Sequence, residues 1–347
     1  MEMQSGNSSK GTVLVTGGSG YLGGWCIITL LKQGYVVRTT VRSLARESEV
    51  RASLSGHVDP GDRLTFFEAD LTDDGGWAEA IAGCDYVLHV ASPFPTSQPK
   101  DADELIVPAR EGTLRVLGAS LDAGVKRIVI TSSVAAIDPP PGADSSTVLN
   151  EDNWANPGNT ALTPYARSKT VAERAAWALA KEQGAEERLA TINPGAIIGP
   201  ILSDDRSTSI QLIERLLKGM PAAPRIGFSL VDVRDVAELE VAAMTAPEAG
   251  GKRFLATTEF AWMSDVARIL RERMGDAASK APTRVAPNLL VKTLALFDSD
   301  LRSVSGRLGE RTEYSSERAR SLLGWSPRPI SDSVVATGES LVTLGVV

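Results

Sequence analysis

Short apolar, β-branched runs alternate with amphipathic stretches through the first 200 residues. Thr12 to Thr16 is such a run and stops at glycines; Tyr21 to Gln33 then spaces Leu22, Cys26, Leu30 and Gln33 at helical intervals. The pattern predicts strand, tight turn, helix. Further strands are predicted at Tyr35 to Val41, Leu64 to Phe67, Tyr86 to Val90 and Arg127 to Thr131, with helical stretches between them, then a helix from Pro164 to Lys181 and a strand from Leu189 to Asn193. Runs such as Val13-Leu14-Val15 and Ile128-Val129-Ile130 are apolar on both sides of the pleat, as strands covered on both faces must be. Strands alternating with helices predict an α/β fold with a doubly wound parallel sheet.

Beyond Gly199 the alternation weakens and Pro, Arg and isolated helices become frequent. The expected organisation is a tail over 1–10, a nucleotide-binding domain of Rossmann type over 11–200, and a smaller, mainly substrate-binding lobe over 201–347 with some segments returning to the first domain. The Pro-rich stretch Asp138-Pro139-Pro140-Pro141-Gly142 and the segment Asn156-Pro157-Gly158-Asn159 are candidate loops after strand ends, where ligands bind in open α/β sheets.

Composition narrows the function. The net charge is −7, against the basic face that nucleic acid requires. No apolar run reaches the roughly 18 to 20 residues of a membrane span. Residues 1–10 lack an apolar core for a secretory signal, so a cytoplasmic location is expected. The two cysteines, Cys26 and Cys84, have no metal-like spacing and are expected to be buried in a reducing compartment.

The first turn carries the clearest chemistry. Gly17, Gly20 and Gly23 stand three apart, and Gly18, Gly20 and Gly23 also meet the G-x-G-x-x-G spacing. In a strand–turn–helix setting these glycines, with Tyr21 and Leu22, let backbone approach a pyrophosphate at the helix N-terminus. An acidic residue ends the second strand in NAD sites. This chain has Arg42-Ser43 there, suited to a 2′-phosphate, which favours NADPH; a solvated surface charge is the alternative for Arg42. Asp70 can accept from an adenine amino group with Leu71 on the ring, or cap a helix starting near Thr72. Val90, Ala91 and Ser92 are small enough for ribose and nicotinamide to lie near the backbone.

Tyr165 and Lys169 are four apart, on one face of the predicted helix. An ammonium beside a phenol lowers its pKa, so such a tyrosine can exchange protons near neutral pH; an amphipathic surface helix would show the same spacing. Thr131-Ser132-Ser133, ending the fifth strand, offers a hydroxyl to a carbonyl substrate. His57 and His89 lack a nucleophile motif, His89 reads as packed at a strand end, and no metal-ligand cluster is visible.

With these motifs and Asn193-Pro194-Gly195, the chain from about Thr12 to Trp325 resembles the extended short-chain dehydrogenase/reductases, in particular the group of dihydroflavonol 4-reductases, cinnamoyl-CoA reductases and aldehyde or methylglyoxal reductases. The resemblance implies reduction of an aldehyde or ketone with NADPH, Tyr165 as general acid, Lys169 also on the nicotinamide ribose, and Ser133 orienting the carbonyl. It further implies Pro194, Gly195 and Ile197 along the nicotinamide, Thr131 near the cofactor and Ser209 toward a phosphate. Two departures bear on substrate: Asp138 stands where plant flavonoid reductases carry Asn, and Ala161-Leu162-Thr163-Pro164-Tyr165 replaces the cinnamoyl-CoA signature. Neither plant substrate is supported. An aryl or alkyl carbonyl compound is expected, lined by Phe94, Asp138, Pro139 and Phe228, or these residues are simply core. The rivals are a nucleotide-sugar epimerase or dehydratase holding NAD, against which Arg42 counts, and a non-catalytic NADP sensor. Monomer and homodimer are both compatible with the sequence.

Overall fold

The computed structural model describes residues 9–93, 101–139, 147–204, 207–296 and 306–347. Along the chain run β1 (Thr12–Thr16), α1 (Tyr21–Lys32), β2 (Val36–Val41), α2 (Glu47–Ser55), β3 (Leu64–Glu68), α3 (Trp77–Ile81), β4 (Tyr86–His89), α4 (Asp103–Asp122), β5 (Arg127–Thr131), α5 (Pro164–Glu182) and β6 (Leu189–Pro194). There follow β7 (Ala196–Ile198), α6 (Thr208–Lys218), β8 (Ala223–Pro224), β9 (Gly227–Asp232), α7 (Val233–Thr245), β10 (Lys252–Ala256), β11 (Glu259–Trp262) and α8 (Met263–Met274). The last are β12 (Val285–Ala286), α9 (Asn288–Leu294), α10 (Glu317–Leu323) and α11 (Ile330–Thr343).

Seven parallel strands form the main sheet in the order β3-β2-β1-β4-β5-β6-β10. The period of two along each strand assigns the layers. In β1, Val13 and Val15 join the core made with α1, α2 and α7, whereas Leu14 joins the one made with α3, α4 and α5. Strand order reverses between β1 and β4, and the crevice outside their carboxyl ends is where such a sheet takes ligands.

Two strands after Gly199 part company. β10 closes the edge of the main sheet against β6, while β9 lies between β7 and β11 in a separate three-stranded sheet. That sheet shares an apolar core with α6, α8 and α11, including Ile210, Ile213, Leu216, Val266, Leu270 and Val334. Trp25 of α1 ties this region to the first sheet by donating from Nε1 to the Pro200 carbonyl, 2.9 Å away. Among the described residues no helix is long and apolar enough to cross a membrane.

One local expectation fails. No helix starts near Thr72: α3 begins at Trp77, behind the left-handed Gly76. The reason is Asp70, whose Oδ1 accepts from the Thr72 amide at 2.8 Å and its hydroxyl at 2.6 Å, building a turn in place of a helix cap. The cysteines are free and buried, Cys26 in α1 and Cys84 before β4.

Candidate active site

The glycine turn joins β1 to α1 at the reversal point. Gly17 has φ +71°, the left-handed conformation that glycine adopts without penalty, and packs on Ala91 at the end of β4. A Cβ on Gly23 would sit 2.3 Å from the Gly17 carbonyl, so helix and turn meet only because Gly23 has none. Thr16 fastens the two strand ends: its hydroxyl accepts from the Ala91 amide at 3.0 Å and pairs with His89 Nδ1 at 2.9 Å. α1 starts at Gly20 with no side-chain cap and no acidic residue in its first turn, leaving the amides around Tyr21 and Leu22 for an anion. The uncapped helix end and the glycine cradle fit a pyrophosphate.

Arg42 is exposed just past β2, and it acts with Arg115 on the Asp70 carboxylate, which is held low chiefly by its two Thr72 hydrogen bonds. The ends of β2 and β3 thus face one place. Leu71, beside Asp70, is packed on the α3–α4 core and half-exposed. Ser43 caps the turn 44–46 by accepting from the Ala45 amide at 3.4 Å. A residue that sequence reasoning passed over stands close: Arg46 Nη1 donates to Ser19 Oγ at 3.0 Å, reaching into the glycine turn. Its signal was a second arginine one helical turn after Arg42.

Thr163 and Pro164 fix where Tyr165 falls. The Thr163 hydroxyl accepts from the Ala166 amide at 3.1 Å, and Pro164 occupies the first helical position, so Tyr165 lies in the first turn of α5 and Lys169 in the second. Tyr165 packs on Ala135, Ala155, Leu162 and Ala166. Ser133 begins the turn 134–136 past β5, its hydroxyl accepting from the Ala135 amide at 3.1 Å and hydrogen-bonded to Tyr165. Ser133 and Tyr165 therefore meet, with Lys169 one turn further along the helix. The expected lowering of the Tyr165 pKa by Lys169 is not found: burial raises it, outweighing the Ser133 hydrogen bond. The phenol is held in its proton-bearing form. Burial also brings the Lys169 ammonium down to about 8, against the pull of Glu173 and Glu240.

A buried polar layer lies under these groups. Glu173, one turn after Lys169, accepts from Ser132 Oγ at 2.6 Å, Asn193 Nδ2 at 2.8 Å and Thr191 Oγ1 at 3.0 Å, and pairs with Arg253 Nε at 2.6 Å. Asn193 donates also to the Ser133 carbonyl at 3.1 Å. The helix bearing Tyr165 and the segment bearing Ser133 are thus anchored to one carboxylate. Lys169 Nζ lies 3.4 Å from the Thr131 carbonyl, and the Thr131 hydroxyl donates to Glu240 at 2.6 Å. Sequence reasoning passed over Glu173, whose signal was a third position in the Tyr165–Lys169 spacing; Glu240 and Arg253, distant in sequence, gave no signal.

His89 is buried and driven down to about 3 by burial and then by Lys169, so it is neutral and packed at a strand end. Val90, Ala91 and Ser92 line the carboxyl edge after β4 and are half-buried. Gly195 donates to the Ala256 carbonyl at 3.0 Å, following Pro194, and Ile197 pairs with Val231 in the second sheet. Ser209 gives its proton to the Ile197 carbonyl, a bond it must release to donate to a phosphate. Asp138 is buried, hydrogen-bonded by the Tyr314 hydroxyl and 3.2 Å from Arg307 Nη1; burial lifts its carboxyl to about 6 in spite of Arg307. Pro139 beside it is half-exposed. Phe228 faces Ala261 across β9 and β11 and packs on the second core, so at least part of its ring serves packing. Phe94 lies outside the described residues.

Known proteins are similar to this chain in sequence and fold. A model of the NAD dependent epimerase/dehydratase family matches residues 13–255. Cinnamoyl-CoA reductase CAD2 of Medicago truncatula is 33% identical over 345 residues, 98% of either chain. A dihydroflavonol 4-reductase of Zea mays is 34% identical over 285 residues, 79% of this chain and 77% of that one. Among solved structures, yeast methylglyoxal/isovaleraldehyde reductase Gre2 complexed with NADPH superposes with a TM-score of 0.80 and 25% identity, over 97% of this chain and 100% of that one. With the glycine turn, the Tyr165–Lys169 helix and these matches together, the chain belongs to the NAD-dependent epimerase/dehydratase family, in the extended short-chain dehydrogenase/reductase branch.

Proposed function

We propose that this protein is an NADPH-dependent carbonyl reductase that turns an aldehyde or ketone into the alcohol. The observation that carries the reading is the Ser133–Tyr165 hydrogen bond with Lys169 one turn along the same helix, at the same carboxyl edge of the sheet as the glycine turn, two strands away. NADPH, when bound, supplies the hydride. Tyr165, proton-bearing through burial, is the group that protonates the carbonyl oxygen, and Ser133 donates a hydrogen bond to the same oxygen. Lys169, mostly ammonium at neutral pH, holds the nicotinamide ribose. Gly17, Gly20, Tyr21, Leu22 and Gly23 receive the pyrophosphate. Arg42 takes the 2′-phosphate with Ser43, and Arg46 assists from beside Ser19. Asp70 and Leu71 receive the adenine. Val90, Ala91, Ser92, Thr131, Pro194, Gly195, Ile197 and Ser209 complete the lining.

The names of the relatives, reductases of a CoA thioester, a dihydroflavonol and small aldehydes, support the reaction class. Asp138, buried and tied to Arg307 and Tyr314, stands where a flavonoid reductase is expected to carry Asn, which counts against a flavonoid substrate. On this reading the substrate is an aldehyde or ketone with an aryl or alkyl body. NADPH depletion across aldehydes, α-dicarbonyls, aryl ketones and keto esters is expected to find turnover, preferring NADPH to NADH. Protein that arrives with tightly held NAD and consumes no added NADPH would make it an epimerase-like enzyme instead.

A further inference from the structure

Glu240, midway along α7, is fully buried. Its Oε1 accepts from the Thr131 hydroxyl at 2.6 Å, and its Oε2 has no hydrogen-bond partner. Thr131 ends β5, and its carbonyl lies 3.4 Å from Lys169 Nζ. Lys169 therefore has a carboxyl group on either side: Glu173 on its own helix, and Glu240 reached through Thr131.

The two carboxyls differ. Glu173 has Arg253 and three further donors, the environment of an anion. Glu240 has one neutral donor and a bare oxygen, and among the described residues no cation forms an ion pair with it. Burial with so little compensation favours the neutral acid, while the Thr131 hydrogen bond and, after it, the Lys169 charge favour ionisation.

We propose that Glu240 is a positioning residue for Lys169: a buried carboxyl that becomes charged beneath the ammonium as pH rises, keeps Lys169 protonated, and holds the Thr131 strand end through one hydrogen bond. Cys26 from α1 and Lys169 from α5 are the ionisable groups coupled to it, while His89 from β4 and Glu173 from α5 are coupled to Lys169; Arg127, at the far end of β5, binds the carbonyls of Ala243 in α7 and Ala246 just past it. Cys26 keeps its proton, raised by burial first and by Glu240 second, and His89 is neutral, so Lys169 is the partner whose charge responds. Burial brings Glu240 up and Lys169 down to about 8 each, so the pair titrates in one range.

The inference rests on the catalytic reading of Lys169, and its test separates the two. Infrared pH-difference spectra of the nucleotide-free protein should show a carboxylic-acid C=O band that disappears as pH is raised through about 8 and is missing from E240Q. In the reductase assay the alkaline limb of the pH profile should move to lower pH in E240Q, by about one unit if the lost attraction is typical of a close opposite charge. T131V, which raises the Glu240 pKa by removing its donor, should move the limb the same way and stands in should E240Q fail to fold. No band removed by E240Q, or a band with an unmoved limb in both variants, overturns the proposal and leaves the reductase reading intact. Full reduction by K169M would instead overturn that reading, whatever the infrared band does.

Discussion

Tyr165 owes its state to the residues around it. Four apolar neighbours pack on its half-buried ring, the phenol keeps its proton, and the Ser133 hydroxyl hydrogen-bonds it. A carbonyl reductase needs that form, because the oxygen of the substrate must be protonated as the alcohol appears. Arg42 illustrates the opposite environment, exposed beyond a strand end. Replacing Arg42 with Asp is expected to raise KM for NADPH by about tenfold or more, the worth of a charge-assisted hydrogen bond, and KM for NADH far less. Equal changes for the two cofactors, in initial-rate measurements, would assign the phosphate to another group such as Arg46.

At the scale of elements, α5 does most of the arranging. Thr163 and Pro164 start it, Tyr165, Lys169 and Glu173 fall on successive turns, and Glu173 holds β5 and β6 through Ser132, Thr191 and Asn193. Removing the carboxylate in E173L leaves Arg253 buried and unpaired. This is expected to lower stability by about 3–5 kcal/mol, read as a shift in denaturant midpoint, whereas an unchanged midpoint would mean that the pair is not the anchor. The sheet, the glycine turn and the Ser133, Tyr165 and Lys169 set were legible because each lies in a local pattern: a β-branched run, a fixed glycine spacing, a helical interval. The turn at Asp70 was misjudged because an Asx turn and a helix cap use the same residue type in the same place. Glu240, Arg253, Arg307 and Tyr314 escaped notice since their partners stand about 80 to 180 residues away, where no periodicity connects them.

For the whole molecule, buried ionisable groups set how stability depends on pH. Asp138 and Asp235 are raised to about 6 and Glu240 to about 8, all by burial. Their unfolded counterparts ionise near 4, so between about pH 4 and 8 the folded chain holds protons that unfolding releases, and stability falls as pH rises through that window. His89 works the other way: its folded value near 3 is depressed, and the stability it lends at neutral pH is lost as pH falls from about 6.5 toward 3. Scanning calorimetry of the nucleotide-free protein is therefore expected to give a higher midpoint near pH 6 than at pH 8, with a smaller drop in E240Q. An identical drop in both would mean that Glu240 does not hold its proton. The function assigned to the same molecule depends on one proton, that of Tyr165, reaching a carbonyl oxygen. The direct test is NADPH consumption with matched alcohol formation on the best substrate of the panel, wild type beside Y165F. The account predicts one alcohol per NADPH in the wild type and a loss of about 10²- to 10⁴-fold in Y165F with NADPH binding retained. Undiminished alcohol formation by Y165F would contradict it.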